Sequence, residues 1–141
     1  MNKKNRKIVF EKYGGLCAYT GKPLGDDWQV DHVISKVKHR YITFGSCSNV
    51  DEALEMLKEV DNIDNLLPAI KIVNHYKRGL DLEGFRNYMM KFHERIAKLP
   101  KKTIIHRTQK RKEYMLKIAE LFDISVDKPF SGIFYFETIK T

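Results

Sequence analysis

The feature that most constrains the fold of this chain is the alternation of apolar and polar residues in WQVDHVI, residues 28–34. A period of two is typical of a β-strand with one buried face. Asp31 and His32 stand side by side in the middle of this segment. Because neighbouring strand residues point to opposite faces, the two side chains can serve one site only where the strand ends or bends.

Apolar periodicity and the positions of glycine and proline predict the other elements. In chain order we expect helix 3–13, a turn or tight hairpin at 15–28, strand 28–34, helix 51–60, strand 65–69, helices 70–79, 81–99 and 103–122, and a terminal strand at 130–139. Gly79, Asp81 and Thr103 are the expected capping residues. This order predicts an α+β fold: a small strand–strand–helix unit with an inserted helix, C-terminal helices and a terminal strand.

The charge of the chain bears on its partners. The 141 residues carry a net charge of +8, and basic residues cluster at 3–7 and 98–112. Nucleic acid is the leading polyanionic partner, ahead of an acidic membrane surface. No apolar run approaches the ~20 residues that span a bilayer, and no apolar segment follows the basic start as in a signal peptide. We therefore expect an intracellular, cytoplasmic protein.

Two cysteines, Cys17 and Cys47, are too few for a disulfide framework in a chain of this size. We expect free thiols. CAYT, residues 17–20, has the shape of half a C-x-x-C knuckle, but Thr20 occupies the second position. Since no other cysteine pair completes four ligands, no structural zinc is expected.

A set of polar residues fits the needs of phosphodiester hydrolysis. Such a reaction uses a hard cation such as Mg²⁺ on oxygen ligands, and a neutral histidine that takes a proton from water. Asp31 and His32 supply a carboxylate and an imidazole. On the predicted helix 70–79, Asn74 offers an amide oxygen, and Lys77 and Arg78 offer positive charge for phosphate.

These residues resemble the HNH (ββα-metal) endonuclease family. The matching run is GLCAYTGKPL…WQVDHVIS…DNIDNLLPA…NHYKRG, over about half of the chain. The resemblance implies a ββα-metal core at about 13–80, with a basic helical extension at about 81–141, in a single domain.

The resemblance also implies roles for individual residues. Asp31 is similar to the first metal ligand, His32 to the general base, and Asn65 to the residue that holds the base imidazole. Asn74 is similar to the last ligand of a Mg²⁺ or Mn²⁺ ion, because it precedes a lysine by three residues. His75 remains an alternative last ligand, since the two side chains are ~100° apart around a helix and should not share one ion.

Two features depart from the family pattern. Many members carry two C-x-x-C knuckles, so here we expect packing of Tyr19, Leu24 and Trp28 to hold the hairpin instead. The segment between the histidine and the following asparagine is also long. It contains the inserted helix and a basic patch, KVKHR, whose lysines are candidates for DNA contact.

The sequence thus predicts a metal-dependent endonuclease that hydrolyses DNA phosphodiester bonds. The expected nucleic-acid-binding residues are Lys36, Lys38, Lys77, Arg78, Lys101, Lys102, Arg107, Lys110 and Arg111. Double-strand cleavage by one such site would favour a homodimer. The alternative is a non-catalytic basic nucleic-acid-binding module on the same fold, and composition does not separate RNA from DNA.

Overall fold

The fold combines short helices with one small sheet. A computed structural model describes residues 1–33, 45, 49–58 and 62–139 of the chain. The elements are α1 (Lys3–Glu11), β1 (Gln29–His32), α2 (Val50–Lys58), a 3₁₀ turn (Ile63–Asn65), β2 (Leu66–Ala69), α3 (Lys71–Lys77), α4 (Leu82–Met90), α5 (Phe92–Ala97), α6 (His106–Leu121) and α7 (Tyr135–Thr138). The α+β class and the inserted helix predicted from the sequence are confirmed.

The two strands pair antiparallel, with Gln29 opposite Ala69 and His32 opposite Leu66. All four residues of β2 are buried, as expected for its apolar composition. Ile70 separates β2 from α3, and α3 contacts β1. A strand, its antiparallel partner and a helix therefore follow one another in the predicted order.

Aromatic side chains dominate the main core. Phe134 stacks on Phe85 with ring centroids 5.3 Å apart, and Tyr19 meets both rings edge-on. The edge-to-face arrangement is favourable for aromatic rings beyond the area that they bury. The main core thus joins the segment before β1, helix α4 and the segment before α7.

A smaller apolar cluster packs α1 against the sheet through Val9, Trp28 and Leu66, and Leu24 contacts both clusters. Tyr19, Leu24 and Trp28, which the sequence predicts to hold the hairpin by packing, all lie in or against these two clusters. Cys17 is a buried free thiol, and Cys47 lies outside the described residues.

The predicted terminal strand at 130–139 is wrong. Phe130 and Phe134 are buried four positions apart, and a single helical turn, α7, follows them. The backbone N–H groups of Tyr135 and Phe136 donate to the carbonyls of Tyr19 and Ala18, at 3.1 and 2.8 Å. Aromatic residues favour a strand when the segment is considered alone. Here their packing in the core determines the conformation instead of their strand propensity.

The predicted helix at 81–99 is two helices, α4 and α5. Lys91, with φ −105° and ψ 7°, interrupts the helical backbone between them. Asp81 caps α4 as predicted, because its side chain accepts a hydrogen bond from the Gly84 N–H at 2.7 Å. Aromatic residues on either side of the interruption, Tyr88 and Phe92, both pack against Tyr76.

Two other helix ends differ from the prediction. Thr103 does not cap α6; its hydroxyl accepts from the Ile105 N–H at 3.1 Å, in a local turn before the helix begins. At the end of α3, Arg78 rather than Gly79 has a positive φ, with φ 57° and ψ −141°. A non-glycine residue with positive φ is uncommon and is retained where surrounding contacts hold it.

Candidate active site

Asp31 lies on β1 and is buried against α3. The residue is only 7 % exposed, although it carries a carboxylate. The carboxylate accepts a hydrogen bond from the Tyr19 hydroxyl. Lys77 Nζ lies 3.0 Å from Oδ2 and 3.3 Å from Oδ1. Asp31 therefore has two buried polar partners, one of them cationic.

Lys77 is fully buried, so its ammonium group is not available to bind phosphate in this structure, contrary to the prediction. It stands four residues after Val73, and the two side chains face inward from α3 together. Its ammonium group pairs with Asp31 and lies 3.3 Å from the carbonyl oxygen of His32. A buried charge is tolerated when it is paired and hydrogen-bonded in this way.

Tyr19 completes this buried group. Burial raises the pKa of the Tyr19 phenol well above its usual value, and the negative charge of Asp31 raises it further. The phenol is therefore a protonated donor to the carboxylate throughout the physiological pH range. We refer to Tyr19, Asp31 and Lys77 as the buried triad.

The buried triad bears on the predicted cation ligands. Carboxylate and amide oxygens are suitable donors for Mg²⁺. However, a divalent ion at Asp31 would stand next to the Lys77 ammonium and be repelled by it. As placed, Asp31 does not fit such an ion until the ammonium moves away. Within the described residues, no group of three or more His, Cys, Asp or Glu side chains is arranged to hold a metal.

Asn74 and His75 both contact Gln29. The Asn74 amide donates to Gln29 Oε1 at 2.7 Å, and Gln29 Nε2 donates to His75 Nε2 at 3.3 Å. Both alternative last ligands thus contact β1, Asn74 at the shorter distance. Gln29 was not among the predicted site residues. Its position two residues before Asp31, on the same face of a strand, is the signal that could have identified it.

His32 is the last residue of β1, and the chain bends at Val33. The imidazole is half-buried. Strand alternation assigns it to the face of Val30, opposite that of Asp31. The Val33 N–H donates to the carbonyl of Asn65 at 2.9 Å, so the end of β1 lies beside Asn65. A shared site requires a strand that ends at the Asp31–His32 pair, and β1 meets this condition.

Lys12 is a further residue that the sequence did not indicate. Its ammonium donates to the carbonyls of Ile63 and Leu66 at 3.1 and 2.9 Å, on either side of Asn65. Burial lowers the pKa of Lys12, and the charge of Asp64 partly offsets this effect. Lys12 thereby ties α1 to the start of β2 and brings positive charge next to Asn65.

The other predicted nucleic-acid-binding residues divide into two groups. Lys36 and Lys38 lie outside the described residues. The remaining ones are exposed: Arg78, Lys101, Lys102, Arg107, Lys110 and Arg111. Of these, Arg78 and Arg111 line one cavity between α3 and α6.

Comparison with known proteins gives no relative for this chain. No protein-family model, no curated protein and no solved structure matches it. In the part of the chain that the structure describes, no helix has the length and apolar character needed to cross a membrane.

Proposed function

We propose that this protein is an endonuclease of the HNH type that hydrolyses DNA phosphodiester bonds, with His32 as the general base. One observation carries the proposal. Residues proposed for a single site lie on the adjoining β1, β2 and α3 segments: Asp31 and His32 on β1, Asn65 just before β2, and Asn74 on α3. The antiparallel pairing and the Asn74–Gln29 contact bring these segments together.

His32 is the last residue of β1 and is half-buried, so it is neither enclosed in the core nor fully exposed. In this proposal the His32 imidazole accepts a proton from the attacking water, which is the usual role of a histidine general base. Asn65 is the positioning residue in this proposal, since its carbonyl already fixes the backbone next to His32.

The charge on α6 and at the end of α3 supports nucleic acid as the substrate. Lys110 and Arg111 are exposed on α6, and Arg78 is exposed after α3. Cations of this kind bind DNA phosphates with an affinity that falls as the salt concentration rises. They position the nucleic acid and carry no base specificity by themselves.

A divalent cation, Mg²⁺ or Mn²⁺, belongs to the proposal through the family resemblance and would supply positive charge at the scissile phosphate. Asp31 and Asn74 are its proposed ligands. The Lys77 ammonium must leave the Asp31 carboxylate before an ion can bind there. The metal requirement is consequently tested together with the activity.

A second candidate is a non-catalytic nucleic-acid-binding module. The buried triad favours it, because Asp31 and Lys77 already form a structural link between β1 and α3. In that case the basic surface would bind nucleic acid and no bond would be cut. The two candidates differ in what they predict for His32.

The deciding experiment is cleavage of supercoiled plasmid by the wild type and by His32→Ala, with Mg²⁺, Mn²⁺ or EDTA. His106→Ala, at an exposed histidine on α6, is the matched control. We expect metal-dependent nicking or linearisation that is lost in His32→Ala, while both variants still shift DNA in a gel. Equal loss of binding and cleavage would contradict the base role. No cleavage by the wild type with any metal, with a DNA shift retained, would favour the binding module.

A further inference from the structure

A cavity of about 320 Å³ lies where α3 meets the C-terminal helices. Its size falls in the range of small-molecule sites, ~300–1,000 Å³. Three arginines and three tyrosines form most of its lining: Arg78, Arg95, Arg111, Tyr76, Tyr88 and Tyr114. We call it the Arg–Tyr cavity.

The Arg–Tyr cavity is strongly cationic. Its lining includes no carboxylate among the described residues, and a guanidinium stays charged at any physiological pH. Within the described part of the chain, none of its arginines forms an ion pair, whereas Arg86 is paired with both Glu83 and Glu137. Uncompensated positive charge in a concave site attracts anions. Phosphate is an anion whose geometry suits arginine especially well.

Arg95 is held in place with hydrogen-bonding capacity to spare. Its guanidinium lies 3.9 Å from the centre of the Tyr88 ring, and Nη2 donates to the Tyr88 carbonyl. Its Nε is buried and has no hydrogen-bond partner among the described residues. A buried donor without a partner is uncommon in folded proteins and needs an explanation. Because Nε has no surface open to the cavity, the guanidinium must shift before a phosphate oxygen can serve as its acceptor.

The tyrosines add an aromatic wall. Tyr76 lies 5.4 Å from Tyr88 and 6.0 Å from Tyr114, measured between ring centroids, so rings from α3, α4 and α6 meet there. Burial raises the pKa of Tyr76 and of Tyr114, which keeps both phenols neutral beside an anion. Aromatic rings next to arginines are the combination that binds an unpaired nucleotide, since the base stacks while the phosphate pairs.

The cavity adjoins the candidate active site. His75 lines it and also contacts Gln29, which in turn contacts Asn74. A ligand in the cavity would therefore lie next to the residues proposed to act on the scissile phosphate.

We propose that the Arg–Tyr cavity binds one nucleoside monophosphate unit, with its phosphate on Arg78, Arg95 and Arg111 and its base against the tyrosines. The chemistry is shared by a free nucleotide and by an unpaired nucleotide within a DNA strand. The assignment to DNA rests on the proposed function. Binding itself does not require cleavage.

The test measures affinity by isothermal titration calorimetry, with His32→Ala as the parent protein so that no substrate is consumed. The probes are inorganic phosphate, deoxyadenosine monophosphate, a short single-stranded oligonucleotide and a fully paired duplex. The variants on this parent are Arg95→Gln and Arg111→Gln, and the matched control is Lys117→Gln, at a cation on α6 outside the cavity. Arg111 is exposed, so its variant preserves the test if Arg95→Gln does not fold.

We expect each arginine variant to weaken binding of the monophosphate or the oligonucleotide by about tenfold, as for loss of a charged hydrogen bond, while Lys117→Gln has little effect. If the oligonucleotide binds more tightly than the monophosphate, the ligand of the cavity is an unpaired nucleotide within a strand. If the monophosphate binds more tightly, the ligand is a free nucleotide. Equal affinities for inorganic phosphate and the monophosphate would overturn the proposal, as would variants that bind like the parent.

The two proposals can fail separately. If the wild type cleaves no DNA but nucleotide binding depends on Arg95 and Arg111, the cavity proposal stands and the endonuclease proposal fails. If the wild type cleaves DNA and both arginine variants bind all four probes like the parent, the cavity proposal alone is overturned.

Discussion

Lys77 Nζ lies 3.0 Å from Asp31 Oδ2, and Lys77 has no exposed surface. The ion pair links the last turn of α3 to β1, and the Tyr19 hydroxyl donates to the same Asp31 oxygen. It places a fixed positive charge where the family resemblance implies a metal ion. Stability and cation binding are therefore coupled at this carboxylate.

Removing one member of the pair should destabilise the fold. We expect Lys77→Met to lower the free energy of unfolding by about 3–5 kcal/mol, because it leaves the Asp31 charge buried without a cationic partner. The double variant Asp31→Asn/Lys77→Met should recover part of this loss, since no buried charge remains. Urea denaturation measures both, with Lys110→Met on exposed α6 as the control. A single variant within about 0.5 kcal/mol of the wild type would contradict the role of the pair.

The same ammonium should oppose cation binding. We expect Lys77→Met to bind Mn²⁺ about tenfold more tightly than the wild type, because the like charge next to Asp31 is gone. Electron paramagnetic resonance of free Mn²⁺ gives the affinities. The gain should vanish in Asp31→Asn/Lys77→Met, which lacks the carboxylate. Equal Mn²⁺ affinity in the wild type and Lys77→Met would show that Asp31 is not the ligand.

Acid should weaken the docking of α7. Hydrogen bonds from Arg86 hold the pKa of Glu137 below its usual value, against a smaller opposite effect of burial. A carboxylate with a depressed folded pKa stabilises the fold above its unfolded pKa of about 4.3, and this contribution is lost as pH falls through the folded value.

We therefore expect Glu137→Gln to lower Tm at neutral pH, with the difference from the wild type shrinking as pH falls below about 4.3. Thermal melts followed by circular dichroism across this pH range provide the measurement. Glu120→Gln, on a surface ion pair with Lys117, serves as the control and should show little difference at any pH. A Glu137→Gln difference that stays constant into acid would argue against the Arg86–Glu137 pair as its cause.

The basic segment before α6 should govern the salt dependence of DNA binding. We expect Lys101→Gln/Lys102→Gln to reduce the slope of log K against log salt concentration by about 0.9 for each DNA phosphate that is no longer neutralised. Fluorescence anisotropy of a labelled duplex gives the slope. Lys91→Gln/Lys128→Gln removes the same charge from other exposed positions. If both double variants change the slope alike, the effect is one of net charge and not of this segment.

The residue pattern within short segments was sufficient to predict the strand–strand–helix unit. Alternation in residues 28–34 and the apolar run at 65–69 predicted β1 and β2, and Asp81 was recognisable as a cap from its position before a helical pattern. These features depend on residues close in sequence. The residues that stabilise each of these features can therefore be identified from a short stretch of sequence.

The burial of Lys77 was not predictable in the same way. A lysine beside an arginine at the end of a helix indicates an exposed end, and only the distant Asp31 explains why it turns inward. The prediction for the aromatic residues at 130–136 failed for a similar reason. Their conformation is set by Tyr19 and Phe85, which are far away in sequence.

The hydrogen bonds from Tyr135 and Phe136 to Tyr19 and Ala18 also determine when, during synthesis, the surroundings of Tyr19 can form. Tyr19 needs Phe134 to cover its ring, and Asp31 needs Tyr19 as a donor. A nascent chain that has not yet reached residue 136 cannot form these interactions. The Asp31 region therefore reaches its final form only after residue 136 has been synthesised, and such long-range closure is a slow step in folding.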